Sequence, residues 1–383
     1  SIILVGQFVV WKMIRDALNK DQSEAAWELF EGLRSRVLPA PEICGSMLMN
    51  CGKHDLVEKA FKTYRELQAQ GLEPNWITHS ALIYAASKRQ SFYERAMTLY
   101  REMENRRMPI DIRVYNNLLY ATSKVGDLET ALELWNLIQD NDKLRINDIT
   151  IANILWTLAA VETSEDKISK RPYHYDADPS ELKAKAGDLI ELAKNSEGIT
   201  LNAYILNGYL AVLANHNFVD EAESIFWDEF KYHDLTPTPG SYEIMLKMYD
   251  FSRNYNKAKE LLEHAGKNKV TLGFEAWRAA IRTAAITGNF TDSIDWLREM
   301  VKAGHRPSVN DLKVLHLRLC ENEKWELRKH MGELCLPVTK VPNNPYTNWR
   351  RRSIAIADLL AHIYGKSAPK LATKIDKALK YSA

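Results

Sequence analysis

Residues 114–135, VYNNLLYATSKVGDLETALELW, hold two helical periods in succession. Tyr115, Leu118 and Leu119 recur at the spacing of three and four that lines up one face of a helix, and Ala131, Leu134 and Trp135 do so again. Between them VGD, residues 125–127, offers a glycine and a short polar side chain, the usual end of one helix and start of the next. The stretch predicts a helix-turn-helix hairpin. Its second half then recurs along the chain: AWELFEGL at Ala26, AFKTYREL at Ala60, AMTLYREM at Ala96 and ALELWNLI at Ala131. Fainter copies stand at Ala186, Ala222, Ala258 and Ser293, and the intervals are 34, 36, 35, 55, 36, 36 and 35 residues.

One interval exceeds the period by about 20 residues, and the polar run ETSEDKISKRPYHYDADPSE, 162–181, accounts for it as an inserted loop. A lone hairpin cannot bury its apolar face, so neighbouring units must stack into a continuous core. The expected fold is all-α: an α-solenoid superhelix of about eight to nine helix-turn-helix repeats over residues 8–320, with a helical C-terminal region, 321–383, as its cap. Phe30, Tyr64, Tyr100, Trp135, Phe226 and Trp296 fall inside the repeated phrase and are expected in the core between repeats.

Composition agrees with a packed chain. The 383 residues are 46% hydrophobic and 26% charged, which excludes a largely disordered or collagen-like protein. Lys and Arg total 51 against 50 Asp and Glu, so no bulk basic character points to nucleic acid. Four cysteines, Cys44, Cys51, Cys320 and Cys335, are too scattered for a disulfide framework and fit a reducing compartment. Apolar runs such as 151–161 fall far short of the roughly 20 residues of a membrane span, so a soluble protein is expected. The chain opens at Ser1 rather than Met, as a processed or partial chain would, and no targeting segment is read from it.

The W-x2-L-G-x2-Y signature of tetratricopeptide repeats is absent. The Tyr-Asn opening at Tyr115 and Asn116, the period near 35 and the closing GLEPN, residues 71–75, resemble the pentatricopeptide repeat instead. That resemblance implies an organellar protein, mitochondrial or alternatively plastid, that binds single-stranded RNA at one base per repeat. It also implies two reading positions per repeat, one on the inner side of the first helix and one at the repeat's end. Alignment on the recurring alanines pairs Ser80 with Asp111, Asn116 with Asp148, and Asn207 with Thr238. The resemblance implies guanine at the first pair and uracil at the second. Trp11/Pro41, Gly45/Asn75, Ala152/Asn202, Glu243/Gly273 and Arg278/Ser308 lack a donor and acceptor at one or both positions.

Charge is unevenly spread. Residues 341–383 carry eight Lys or Arg against Asp358 and Asp376, a net of +6. The other 340 residues therefore carry −5 of the overall +1. Arg350, Arg351 and Arg352 are expected to grip RNA phosphates, and Leu371, Ile375 and Leu379 share one face of an amphipathic helix opposite lysines. No catalytic constellation is legible: GKS at 365–367 lacks the first glycine of a phosphate loop, and Cys44, Cys51 and His54 lack metal-site spacing. The expectation is a non-enzyme with no cofactor, metal or small-molecule substrate, and no insertion in a membrane. Three functions suit it: a component of a large ribonucleoprotein, most naturally the mitochondrial ribosome or its assembly; a free transcript-specific RNA stability or translation factor; or a protein-only scaffold in a mitochondrial complex. The scarcity of reading pairs favours the first and third, and the basic tail favours the first.

Overall fold

A computed structural model of the chain describes residues 2–161, 178–305, 307 and 309–335. Every regular element among them is helical, and the fold is an α-solenoid of hairpins. The chain divides after His216 into two compact units.

The first unit holds the hairpins α1 (Ile2–Asn19) and α2 (Ser23–Arg34), α3 (Pro41–Lys53) and α4 (Val57–Ala69), and α5 (Trp76–Ala86) and α6 (Tyr93–Asn105). After these come α7 (Ile112–Val125) and α8 (Leu128–Gln139), then α9 (Asp148–Ala160) and α10 (Pro179–Asn195), and finally α11 (Ala203–Asn215). The first helices α3, α5, α7, α9 and α11 pack one on the next. In the second unit α12 (Val219–Ser224) passes through a π-helical turn at Ile225–Glu229 into α13 (Phe230–Tyr232). There follow α14 (Pro239–Phe251) and α15 (Tyr255–Lys267), α16 (Phe274–Ile286) and α17 (Phe290–Lys302), and α18 (Val309–Glu321) and α19 (Trp325–Cys335).

The eight recurring small residues explain the period. Ala26, Ala60, Ala96, Ala131, Ala186, Ala222, Ala258 and Ser293 all lie on second helices and all have zero exposure. A small side chain lets the second helix back closely onto the first. Ser293 shows how close, since its hydroxyl donates to the Ile281 carbonyl of α16 at 3.1 Å. Phe30, Tyr64, Tyr100 and Phe226 are buried as expected, whereas Trp135 and Trp296 are only half-buried.

Turn chemistry ends the first helices α1, α3, α7, α11, α14, α16 and α18 in a repeated way. Asp21, Asp55, Gly126, Asn217, Arg253, Gly288 and Glu323 all have positive φ, where Gly, Asn and Asp are least strained. The next N–H then reaches back five residues, as from Leu56 to the Cys51 carbonyl at 2.8 Å and from Asn289 to the Ala284 carbonyl at 2.8 Å. These bonds satisfy carbonyls that the helix end would leave orphaned.

Two expected boundaries shift. The insertion is expected at 162–181, but α10 begins at Pro179. Proline suits the first turn of a helix because its missing N–H would be unpaired there anyway, and Asp178 caps it by accepting from the Ser180 N–H at 3.2 Å. Residues 162–177 lie outside the described residues, as does the tail from 336. The expected break after residue 320 falls inside α18, and α19 then packs on both α17 and α18. Met331 joins Phe290, Ile294, Leu297, Leu315 and Leu319 in one buried cluster, so hairpin packing continues to Cys335.

Candidate nucleic-acid interface

The residue that closes each repeat is the N-cap of the next first helix, and this fixes the register. Asn75 accepts from the Thr78 N–H, Asp111 from Arg113 and Val114, Asn147 from Thr150, and Asn202 from Tyr204 and Ile205. The inner position stands five residues further on: Gly45, Ser80, Asn116, Ala152 and Asn207. The cap that follows Asn116 is Asn147, next to the expected Asp148, and the cap that follows Trp11 is Ala40, next to the expected Pro41. Asp148 is already inside α9, where it accepts from the Asn202 Nδ2 at 2.9 Å.

The paired positions carry structural bonds. The Asn116 Nδ2 donates to the Asn147 Oδ1 at 3.2 Å, and the Asn116 Oδ1 accepts from the Thr150 hydroxyl at 2.8 Å. The Asn116 backbone carbonyl accepts from the Asn153 Nδ2 at 2.8 Å. Asn116 and Asn207 are both buried, with 6% and 7% exposure. Ser80 donates to the Trp76 carbonyl at 2.6 Å, and the Asp111 carboxylate, 42% exposed, pairs with Arg113 at 2.6 Å. Ser80 on α5 and Asp111 at the start of α7 are thus partly exposed. Gly45 is required by packing, since an added Cβ would lie 2.5 Å from the Ile77 Cγ2.

In the second unit the same positions are neutralised by their own helices. Glu243 accepts from Lys247 at 2.7 Å, and the Arg278 Nε donates to Glu275 at 2.8 Å. Thr238 caps α14 in a capping box with Ser241, in a different unit from Asn207. Ser308, Arg350, Arg351 and Arg352 lie outside the described residues.

Counting from the caps also reveals a row that the alanine anchors hide. Tyr84, Tyr120 and Trp156 each stand nine residues past a cap on α5, α7 and α9, half-buried. Lys88 and Lys124 stand four further on. The Lys88 ammonium lies 4.4 Å from the Tyr84 ring centre and 5.1 Å from that of Tyr120, and Lys124 lies 4.4 Å from Tyr120. Interleaved basic and aromatic residues suit a polynucleotide.

Residues 42–168 match the family model described as the pentacotripeptide-repeat region of PRORP. That stretch belongs to the pentatricopeptide repeats. The chain is 41% identical over 70 residues to the pentatricopeptide repeat-containing protein 1, apicoplast, of Plasmodium falciparum (isolate 3D7), covering 18% of this chain and 12% of that one. The crystal structure of the pentatricopeptide repeat protein PPR10 from maize aligns over 93% of this chain and 47% of its own, with a TM-score of 0.57 and 17% identity. PPR10 in complex with an 18-nt psaJ RNA element aligns with the same score, over 48% of its own length. The chain thus spans about half the length of PPR10 and a small part of the Plasmodium protein.

Among the described residues no three His, Cys, Asp or Glu side chains are placed to hold a metal. Cys44 and Cys51 are buried, and His54 faces the Ser23 hydroxyl at 2.8 Å. His216 meets the Leu158 carbonyl at 3.0 Å, as an interhelix histidine does. Among the described residues no helix is long and apolar enough to cross a membrane.

Proposed function

We propose that the chain is a non-catalytic binding array for single-stranded RNA that acts in organellar gene expression. The observation that carries this reading is the line of short polar caps Asn75, Asp111, Asn147 and Asn202, one per hairpin at one place on successive packed first helices. A binding mode that meets one base per repeat needs that regularity. The RNA bound by maize PPR10 supports the ligand class, and the apicoplast relative supports an organelle.

Within that function, the chain acts as a component of the mitochondrial ribosome or its assembly, holding RNA and neighbouring proteins together. Most of its reading positions are committed to internal bonds or ion pairs, as Asn116, Glu243 and Arg278 are. A factor that selects one transcript by base identity would need more of them open to solvent. The partly exposed pair Ser80 and Asp111 can bias one base but cannot define a sequence. Sedimentation of organellar ribosomes, with and without ribonuclease, tests the assignment. The protein is expected to travel with a ribosomal peak and to leave it partly after ribonuclease. Sedimentation entirely in the soluble fraction, with tight binding to a single transcript, would instead support the free factor.

A further inference from the structure

We propose that Tyr84, Tyr120 and Trp156 form a stacking row for the bases of single-stranded RNA, with Lys88 and Lys124 moving from the ring faces to phosphates when RNA binds. The inference rests on the RNA-binding reading above and adds a second strip of contacts, away from the capping positions.

Four observations converge. The three rings occupy one register on three successively packed first helices, one ring per repeat. Tyr84 is given its place by Gly52, where an added Cβ would fall 2.6 Å from the ring's Cδ1. Lys88 and Lys124 lie against the rings and have no carboxylate partner among the described residues. By contrast Lys53, at the same register on α3, is held by Asp21 at 2.7 Å. The Trp156 Nε1 is buried and finds no acceptor among the described residues, so no hydrogen bond within the fold fixes the indole.

The chemistry selects RNA over a protein face. A peptide partner for two unpaired ammonium groups would have to bring acids in step with the rings, whereas a polynucleotide carries an anion and a π-face in every residue. The exchange also favours binding. A cation over a half-buried ring is a single contact, and a stacked base and a phosphate–lysine pair replace it with two. The row stops at α9: the equivalent position on α11 is Ala211, and those on α14 and α16 are Lys247 and Arg282, which pair with Glu243 and Asp250. Stacking is tolerant of base identity, so this strip gives affinity without sequence preference.

The test uses the full chain with fluorescent oligonucleotides of U, C or A, and with oligonucleotides containing abasic sites. Tyr120→Leu and Trp156→Leu should each weaken binding to all three homopolymers by about 5- to 150-fold, the loss of one stacked base. The salt slope should not change. Tyr120→Phe and Trp156→Phe should bind nearly as wild type, because the π-face survives. Lys88→Gln should make the slope of log affinity against log salt shallower by about 0.7. Where a leucine variant unfolds, wild-type protein and abasic strands carry the test alone: equal affinity for intact and abasic strands overturns the row. Leucine and phenylalanine variants that both bind as wild type also overturn it. If the leucine variants bind RNA normally but lose association with ribonuclease-treated assemblies, the row is a protein face and the proposal is wrong. Wild-type protein that binds no RNA at all would overturn the broader reading instead.

Discussion

Asn116 on α7 donates its side-chain amide to the side-chain oxygen of Asn147, the cap of α9, across 3.2 Å. Thr150 donates to the other end of the Asn116 amide at 2.8 Å. The side chain that the repeat pattern offers as a base reader is thus a tie between two first helices, at 6% exposure. Breaking a buried, doubly bonded amide strands its partners. Asn116→Ala should therefore cost about 1–3 kcal/mol of unfolding free energy in a urea titration. Because repeats couple mainly to neighbours, faster hydrogen exchange should be confined to α7, α9 and their contacts. Exchange that rises equally in α16 and α17 would argue for global cooperativity instead.

Gly126 closes α7 with φ of 76°, and a Cβ there would lie 2.7 Å from the Ala160 carbonyl oxygen. Gly288 closes α16 with φ of 86° and open space around it. The two glycines separate backbone strain from close approach. Gly288→Ala should cost about 1–2 kcal/mol, the left-handed penalty alone. Gly126→Ala should cost more, because α9 must also move away. Thermal or urea unfolding of both variants checks the order, and equal losses would show that the backbone at Ala160 yields freely.

The array was legible because its period is set by packing. A fully buried anchor on each second helix tolerates only a small side chain, so the alanines stand out at fixed spacing. What escaped was local. Asn147 and Asp148 are adjacent and both suit a cap, and only the bond from the Thr150 N–H to the Asn147 Oδ1, at 3.0 Å, decides between them. Pro179 reads as a breaker although it opens α10. Tyr84, Tyr120 and Trp156 lie on first helices among truly buried neighbours such as Leu82, Leu118 and Leu155, and nothing in their spacing from the alanines separates a half-exposed ring from core.

Burial makes two thiols inert. The Cys44 thiol is pushed up to about 12 and that of Cys51 to about 11, in both cases chiefly by desolvation. The thiolate is the reactive form, so at pH 8 neither should be alkylated at an appreciable rate in the folded chain. Cys320 is partly exposed and should react before either of them. Peptide mapping after timed iodoacetamide treatment reads this directly. Rapid labelling of Cys44 or Cys51 without denaturant would mean that α3 opens readily.

His264 makes the second unit sensitive to acid. Its ring stacks on Tyr242, with centroids 5.8 Å apart, and its Nδ1 lies 2.8 Å from the Tyr242 hydroxyl. The Asn268 Nδ2 meets the other ring nitrogen at 3.0 Å, an arrangement in which an amide donor faces an acceptor nitrogen. Burial first, and the nearby Lys267 second, hold the imidazole below its ordinary value, against a smaller opposing pull from Glu260. The unfolded chain therefore binds the proton more readily than the folded one. The stability that His264 contributes is complete above the unfolded value near 6.5 and is lost as the pH falls through the folded value. Urea midpoints followed by tryptophan fluorescence, where Trp227 lies 4.8 Å from the ring, should fall between pH 7.5 and 5. His264→Gln, which cannot titrate, should show a smaller fall over the same interval. Identical pH slopes for the two proteins would remove His264 as the source.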